Sequence, residues 1–246
     1  MFLRMFYDGS KYRGWSKQPH VPTVQGVLES SLSKLGYSHF HVKAFSRTDA
    51  CVSALGQVVY LTVPRKVMLA PLNRVLPEDV AVTHTAEAAG RVVEKVYVYF
   101  YPRKWTNPAT VRAVAKELEK PDLSGKLFRK GGSTPKEISG IELHHLTHGE
   151  LVYVHGKGFG YEQVRRIVGA LEYADRRATY RLEPAQVRPA DPCWLALADV
   201  KVDARWSAVP SGIEKAKDYM KKRIWYATVS RTRWNILFRL CDRFQV

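Results

Sequence analysis

The sequence lacks the features that define membrane proteins, disulfide-rich secreted proteins and nucleotide-cofactor enzymes. Its 246 residues contain no apolar run long enough to cross a bilayer, and the first ten, MFLRMFYDGS, reach an Asp-Gly turn too early for a signal peptide. A phosphate-loop lysine motif and a dinucleotide fingerprint are both absent, so we infer no nucleotide cofactor. The three cysteines, Cys51, Cys193 and Cys241, form no CxxC pair. This sparse, odd set predicts thiols that act as small core residues in a reducing compartment.

Acidic residues are also scarce. The chain has 23 of them against 39 lysines and arginines, which gives a formal net charge of +16. An excess of this size in a chain with 46% apolar residues predicts a folded protein with a polyanionic partner. Six tryptophans and 13 tyrosines offer surfaces on which bases can stack. Nucleic acid is therefore a better prediction than a membrane surface, and a generic basic surface is the plainer alternative.

The first part of the chain has the pattern of a β-α-β-β-α-β unit. Alternating or β-branched runs predict strands, and apolar residues at helical spacing predict helices. Thr23 is suited to cap the first helix, and Gly36 is suited to end it. In chain order the predicted elements are a strand at 2–7, a helix at 24–35, strands at 41–45 and 57–63, a helix at 67–77 and a strand at 80–84.

The same order of elements recurs without residue identity. The predicted strands are at 95–101, 138–146, 150–156 and 195–202, and the predicted helices at 109–119 and 161–178. The sequence therefore predicts an α+β fold with domains at 1–90 and 91–203 and a basic extension at 204–246. The loop at 126–136 is either an RNA contact or a disordered connector. The segment at 211–246 covers a face of the second domain, extends an RNA surface or joins a dimer contact, and the sequence does not decide among these.

Asp49 is the first candidate catalytic residue. It follows Arg47 and Thr48 in a short connection between two predicted strands, with small residues after it. A nearby guanidinium keeps a carboxylate ionised, and an ionised carboxylate can act as a nucleophile or a general base. The alternative is a polar β-turn in which the aspartate bonds its own backbone, and spacing alone favours that turn.

Two other motifs are considered as signs of a different function. Residues 157–161, KGFGY, match the start of an RNA-recognition-motif signature, so a tandem RNA-binding protein without catalysis is the alternative function. Against it, Glu162 stands where an apolar strand residue is expected and a helical pattern begins there. Three histidines are close in sequence, but a hairpin pattern without a completing ligand predicts no metal site: His144, His145 and His148.

Several blocks spread over the chain resemble the tRNA pseudouridine synthase A family, which acts on the tRNA anticodon stem-loop. Residues 7–29 are similar to the opening block of the family, and residues 46–58, SRTDACVSALGQV, to its catalytic loop. The segment at 72–82, the strand at 95–99 with its two tyrosines and the helix at 158–171 follow in the family's order. The blocks are spread over nearly the whole chain. Five blocks in the right order are a far more specific signal than any one of them.

The resemblance implies a role for each matching residue. Asp49 stands at the position of the catalytic aspartate, and Arg47 at that of an arginine that fills the gap left by a flipped base. Tyr97 matches the tyrosine that contacts the uracil, and Arg165 the arginine that pairs with the aspartate. Arg91 is the nearest counterpart of a Phe-His pair that precedes the tyrosine strand in the family, so it is predicted to bind substrate.

The resemblance also implies the architecture and the reaction. We expect two ferredoxin-like domains whose antiparallel sheets join across a central catalytic cleft, in a cytoplasmic homodimer. The expected reaction converts uridine to pseudouridine at tRNA positions 38 to 40, without cofactor or metal. The catalytic loop departs from the family at Ser46, Cys51 and Ser53, where Gly, Gly and His are usual. At the second of these, glycine would permit a positive φ or a close approach.

Overall fold

The computed structural model describes residues 1–128 and 137–226, which divide into two units by their internal contacts. Unit 1 contains residues 1–93 and the residues from 196 onward, and unit 2 contains residues 94–195. The sequence prediction instead placed 196–203 in a second domain and the following segment outside both. The predicted domain boundaries stay a prediction, whereas the α+β class is seen in both units.

Unit 1 begins with the predicted order of elements. The six elements are β1 (Phe2–Tyr7), α1 (Val24–Lys34), β2 (His41–Ala44), β3 (Ser53–Thr62), α2 (Leu69–Val75) and β4 (Val80–Ala86). The hydroxyl of Thr23 accepts from the amide of Gly26 at 3.3 Å, and Gly36 follows the helix with a φ of +76°. Both ends of α1 therefore form as predicted.

The elements of unit 2 also follow the predicted order. They are β5 (Val92–Tyr101), α3 (Pro108–Leu118), a short α4 (Pro121–Ser124), β6 (Ile138–Leu146), β7 (Gly149–Gly156) and α5 (Gln163–Arg177). Strand β7 pairs antiparallel with both β5 and β6. Helix α5 begins after Glu162, whose φ is +59°, two residues later than the pattern indicated. Most of the predicted basic loop at 126–136 lies outside the described residues.

Three further elements complete the described chain, and the sheet of unit 1 includes two of them. They are β8 (Leu195–Val202), β9 (Ser207–Ala208) and α6 (Pro210–Tyr226). Strand β3 pairs antiparallel with β1 and β2, and β1 pairs with β4. At its start, Ser53 and Ala54 of β3 also pair in parallel with β8. This extra partner extends β3 by four residues beyond the predicted start at 57, because pairing continues where the residues are too small to show a strand pattern.

Helix α6 shows where the C-terminal segment lies as far as residue 226. It packs on β4 and α2 of unit 1, and a Cβ added to Gly212 would overlap the carbonyl oxygen of Val82. The ammonium of Lys215 donates to the carbonyls of Asn73 and Leu76, both at 2.6 Å. Burial lowers the pKa of Lys215 to about 8. The described part of this segment therefore covers unit 1, not the second domain, and residues 227–246 lie outside the described residues.

The cysteine prediction is wrong for two of the three residues. Cys51 and Cys193 are both disulfide-bonded, and Cys241 lies outside the described residues. A rule based on spacing detects only cysteines that are close along the chain, whereas a disulfide depends on distance in the fold. Among the described residues, none of the helices has the length and apolar character needed to cross a membrane.

Candidate active site

The connection between β2 and β3 carries the predicted catalytic residues of unit 1. We call residues 45–52 the Asp49 loop. Arg47 is exposed in it, Asp49 is half-buried and Thr48 is buried at 6% exposure. The loop thus presents a guanidinium to solvent and keeps its carboxylate partly shielded, while the side chain between them is anchored in the protein.

A buried glutamine fixes the start of the Asp49 loop. Gln57 is 0% exposed, its Nε2 donates to the carbonyl of Ser46 at 2.7 Å, and its Oε1 accepts from the amide of the same residue at 3.3 Å. The Nε2 also donates to the hydroxyl of Tyr7 at 3.3 Å, and that hydroxyl is 2.8 Å from the Thr48 hydroxyl. We call Tyr7, Ser46, Thr48 and Gln57 the Gln57 clamp. Each buried polar atom left without its partner would cost about 1–3 kcal/mol, so the clamp holds one loop geometry.

The segment from Tyr7 to Trp15 supports the other side of the Asp49 loop. The amide of Trp15 donates to the carbonyl of Thr48 at 3.1 Å, and the amide of Cys51 donates to the carbonyl of Tyr12 at 3.2 Å. Gly14 has a φ of +98°, and a Cβ on it would lie 2.8 Å from the Thr48 carbonyl oxygen. A larger residue there would push the loop away. Residues 7–15 of the opening block therefore support the Asp49 loop from this side.

Two of the three positions that depart from the family now have a structural account. Cys51 has a φ of +71°, the left-handed conformation that glycine adopts without strain and that costs other residues about 1–2 kcal/mol. The expectation of a positive φ at this position is confirmed. The hydroxyl of Ser53 accepts from the amide of Gly9 at 3.0 Å and lies 3.4 Å from Asp8. Both residues serve the shape of the loop.

Two fully buried carboxylates lie behind the Asp49 loop, and sequence analysis missed them. Asp8 accepts from the hydroxyl of Tyr219 at 2.7 Å and lies 3.4 Å from the guanidinium of Arg223 in α6. Asp79 accepts from the hydroxyl of Tyr12 at 2.7 Å. Burial, together with the neighbouring carboxylates, raises the pKa of both phenols well above their usual range. The tyrosines therefore stay neutral donors, and α6 is tied to the turn that supports the loop.

Arg165 is not a solvated helix residue. It lies in the first turn of α5, its side chain is 14% exposed and its Nε donates to the carbonyl of Ala190 at 2.8 Å. Its Nη1 is 3.6 Å from Glu162, which also pairs with Arg166 at 3.3 Å. These contacts hold the guanidinium in a defined orientation within unit 2.

Tyr97 is buried in β5 at 6% exposure. Its ring meets that of Phe159 edge to face, with centroids 5.3 Å apart. Phe159 belongs to the KGFGY stretch, which follows the end of β7 and lies on no strand. The RNA-recognition-motif signature belongs on a strand, so this match is fortuitous. Arg91, the other predicted substrate contact, is exposed immediately before β5.

The histidines of the β6–β7 hairpin pair with glutamates. His144 is 3.0 Å from Glu142, and His145 is 2.6 Å from Glu150. Within residues 1–128 and 137–226, no group of three or more potential ligands is placed to hold a metal ion. Two of the three clustered histidines, His144 and His145, therefore have glutamate partners within the hairpin.

Comparison with known proteins identifies the family. A family model described as tRNA pseudouridine synthase matches residues 5–97, a span that holds the Asp49 loop, the Gln57 clamp and Tyr97. The tRNA pseudouridine synthase A of Pyrococcus abyssi is 31% identical over 229 residues, which are 82% of this chain and 84% of the relative. The chain belongs to the tRNA pseudouridine synthase A family. The family predicted from the sequence is thus confirmed, and with it an enzyme of the isomerase class.

Other relatives agree with this assignment. The tRNA pseudouridine synthase A of Pyrococcus horikoshii is 34% identical over 187 residues, 69% of this chain and 68% of the relative. The protein of the same name from Methanopyrus kandleri is 35% identical over 175 residues, 68% of each chain.

The Gln57 clamp makes a testable prediction about stability. We expect Tyr7→Phe to lower the free energy of unfolding by about 1–3 kcal/mol, because it leaves the Thr48 hydroxyl and one Gln57 proton without a partner. Urea unfolding measures the loss. The matched control is Tyr60→Phe, the same change at an exposed tyrosine of β3. Equal unfolding free energies for the two variants would show that the clamp contributes nothing.

Proposed function

We propose that this protein isomerises uridine to pseudouridine in the anticodon stem-loop of tRNA, with Asp49 as the essential carboxylate. The observation that carries the proposal is the Asp49 loop itself. A half-buried carboxylate stands two residues after an exposed arginine, in a loop whose backbone is held on both sides by hydrogen bonds. A plain polar turn does not need this support. The relatives named tRNA pseudouridine synthase A supply the substrate class.

The first step is the extrusion of the target base. A base stacked in a stem-loop must be turned out before its ring can be reached, which costs a few kcal/mol of stacking and pairing. Contacts between basic residues and phosphates offset this cost. Arg47 is exposed, and its planar guanidinium can occupy the vacated place in the stack. We also assign Arg91 to substrate binding, because it is an exposed cation immediately before β5.

The chemical step moves one bond. The N1–C1′ bond of the uridine breaks, the uracil turns while held in the site, and a C5–C1′ bond forms as C5 loses a proton and N1 gains one. Asp49 either attacks the uracil ring or assists its departure at C1′, and both routes stay open. The sugar must not be captured by water between the two bonds, so the site has to exclude solvent during the reaction.

Two residues of unit 2 complete the proposed site. A buried carboxylate tends to take up a proton unless a cation lies beside it, and we assign Arg165 to hold Asp49 ionised. We assign Tyr97 to pack against the uracil ring. These roles require the two ferredoxin-like domains to share one cleft, as the resemblance to the family implies. That arrangement, a homodimer and a cytoplasmic location are parts of the same proposal.

The variant Asp49→Asn tests the proposed role of this carboxylate. We expect isomerisation to fall by about 10⁴-fold or more, because the amide can neither attack nor carry the charge, while tRNA affinity is retained. Release of tritium from tRNA labelled at uracil C5 measures the reaction, and filter binding measures affinity. The control is Asp203→Asn, which removes an exposed carboxylate near the opposite end of the unit 1 sheet.

The outcomes separate the two functions considered. Wild-type turnover by Asp49→Asn would overturn the assignment of this residue. If the wild-type protein binds tRNA tightly but retains all the tritium, the alternative of an RNA-binding protein without catalysis is correct instead.

A second prediction compares adjacent arginines. Arg165 and Arg166 both pair with Glu162 and both donate to a backbone carbonyl, so truncating either removes similar contacts. We expect Arg165→Ala to lower kcat by about 10²-fold and Arg166→Ala to change it little, with similar unfolding free energies. Equal effects of the two variants on kcat would mean that Arg165 has only a structural role.

A further inference from the structure

A cluster of exposed cations lies at the C-terminal end of α5, away from the first turn that holds Arg165. We call Arg103, Arg176, Arg177, Tyr180 and Arg181 the α5 basic patch. All five side chains are exposed, and the ring of Tyr180 is 64% exposed. Tyr180 thus offers an exposed aromatic ring within four residues of Arg176, Arg177 and Arg181 in the sequence.

The members of the patch come from two separate parts of unit 2, and two of them, Arg103 and Arg176, lie near the same carboxylate. Arg103 follows β5 and lies 5.8 Å from the ring of Tyr101. Burial raises the pKa of Glu172 in α5, while the charges of Arg176 and Arg103 act on that carboxyl in the opposite direction. Both guanidiniums are therefore near Glu172, although the two arginines are far apart in the sequence.

Three carboxylates lie in the region of the patch: Glu172, Asp175 and Asp191. The carboxylate of Asp175 is buried and accepts from the amide of Asn107 at 2.6 Å. Glu172 is half-buried, and burial raises the pKa of its carboxyl. In the part of the chain that the structure describes, no carboxylate lies within ion-pair distance of the four patch arginines, and Arg177 instead lies 5.0 Å over the ring of Tyr173. The four guanidiniums therefore stay exposed and outside any ion pair within the described residues.

Helix stabilisation does not account for the patch. Arginines in the last turn of a helix interact favourably with its dipole, which explains Arg176 and Arg177. The helix ends at Arg177, and Ala178 has a φ of +48°. Tyr180 and Arg181 follow this turn, and Arg103 belongs to another element. These three residues are not part of the helix, so its formation does not require them.

The position of the patch indicates which part of a tRNA it can reach. Arg176 follows Arg165 by eleven residues of one helix, which corresponds to about 17 Å along its axis. This distance is too great for contact with a uracil held beside Arg165, and it spans several base pairs of a stem. A cation cluster with an exposed ring suits phosphates and an adjacent ribose or unpaired base.

We propose that the α5 basic patch binds the phosphate backbone of tRNA outside the reacting loop, with Tyr180 packed on a neighbouring sugar or base. The proposal rests on tRNA being the substrate. The patch contacts the substrate equally in the ground state and the transition state, so it lowers KM for tRNA and leaves kcat unchanged.

The test is a charge-matched comparison of two triple variants. The patch variant carries Arg103→Gln, Arg176→Gln and Arg181→Gln, and the control carries Lys34→Gln, Lys43→Gln and Lys66→Gln, three exposed lysines of unit 1. We expect KM and Kd for whole tRNA to rise about 10- to 100-fold in the patch variant only, with kcat unchanged. The slope of log Kd against log salt should fall by about 2, as for the loss of two to three phosphate contacts.

A second substrate and a second variant sharpen the result. For a short hairpin that contains only the reacting loop and its closing pairs, the patch variant should equal the wild type. Tyr180→Ala, which removes an exposed ring, should give a smaller rise in KM for whole tRNA. Equal KM values for the two triple variants, with an active wild type, would overturn the patch proposal. An inactive wild type would overturn the proposed function instead. The Kd values of the two triple variants would then still test whether the patch binds tRNA.

Discussion

The rest of the site depends on two hydrogen bonds between the side-chain amide of Gln57 and the backbone of Ser46. They fix the point where the chain leaves β2 and passes over the sheet to β3. Tyr7 and Thr48 extend the same network into the loop. Since every polar group in it is buried, the alternatives to this geometry each leave a donor or acceptor without a partner. Arg47 and Asp49 are thus directed by a scaffold and not by their own contacts alone.

The scaffold extends to both ends of the described chain. The turn that begins at Asp8 supports the loop through Ser53, and the hydroxyl of Tyr219 in α6 bonds the same carboxylate. A C-terminal helix therefore takes part in holding a loop near residue 50. The support behind the loop thus consists of buried polar groups, two of them carboxylates, and the exposed cations are left for the proposed contacts with RNA. Preorganised polar groups do not have to reorient when charge develops in the reaction.

Much of the fold could be predicted from the sequence, because the strands and helices have clear periodicity. Strand β8 was predicted at its observed bounds, and α1 with its cap was predicted to within one residue. The start of β3 was missed since its partner β8 is far away in the sequence. Gln57 was missed because a glutamine within a strand gives no local signal, and its value lies in a buried partner eleven residues earlier. The disulfide state of Cys51 and the contact between Asp8 and Tyr219 depend on the fold in the same way.

Amide hydrogen exchange in the free protein tests the central claim, that the Asp49 loop is held rigid before any RNA binds. The amides of Trp15 and Cys51 donate hydrogen bonds between the loop and residues 12–15, and the amide of Val52 donates to the carbonyl of Asp49 within the loop. We predict that they exchange as slowly as the amides of Val58 and Val59 in β3, through global unfolding alone. Exchange about 100-fold faster than in β3, through local opening of the loop, would contradict the account.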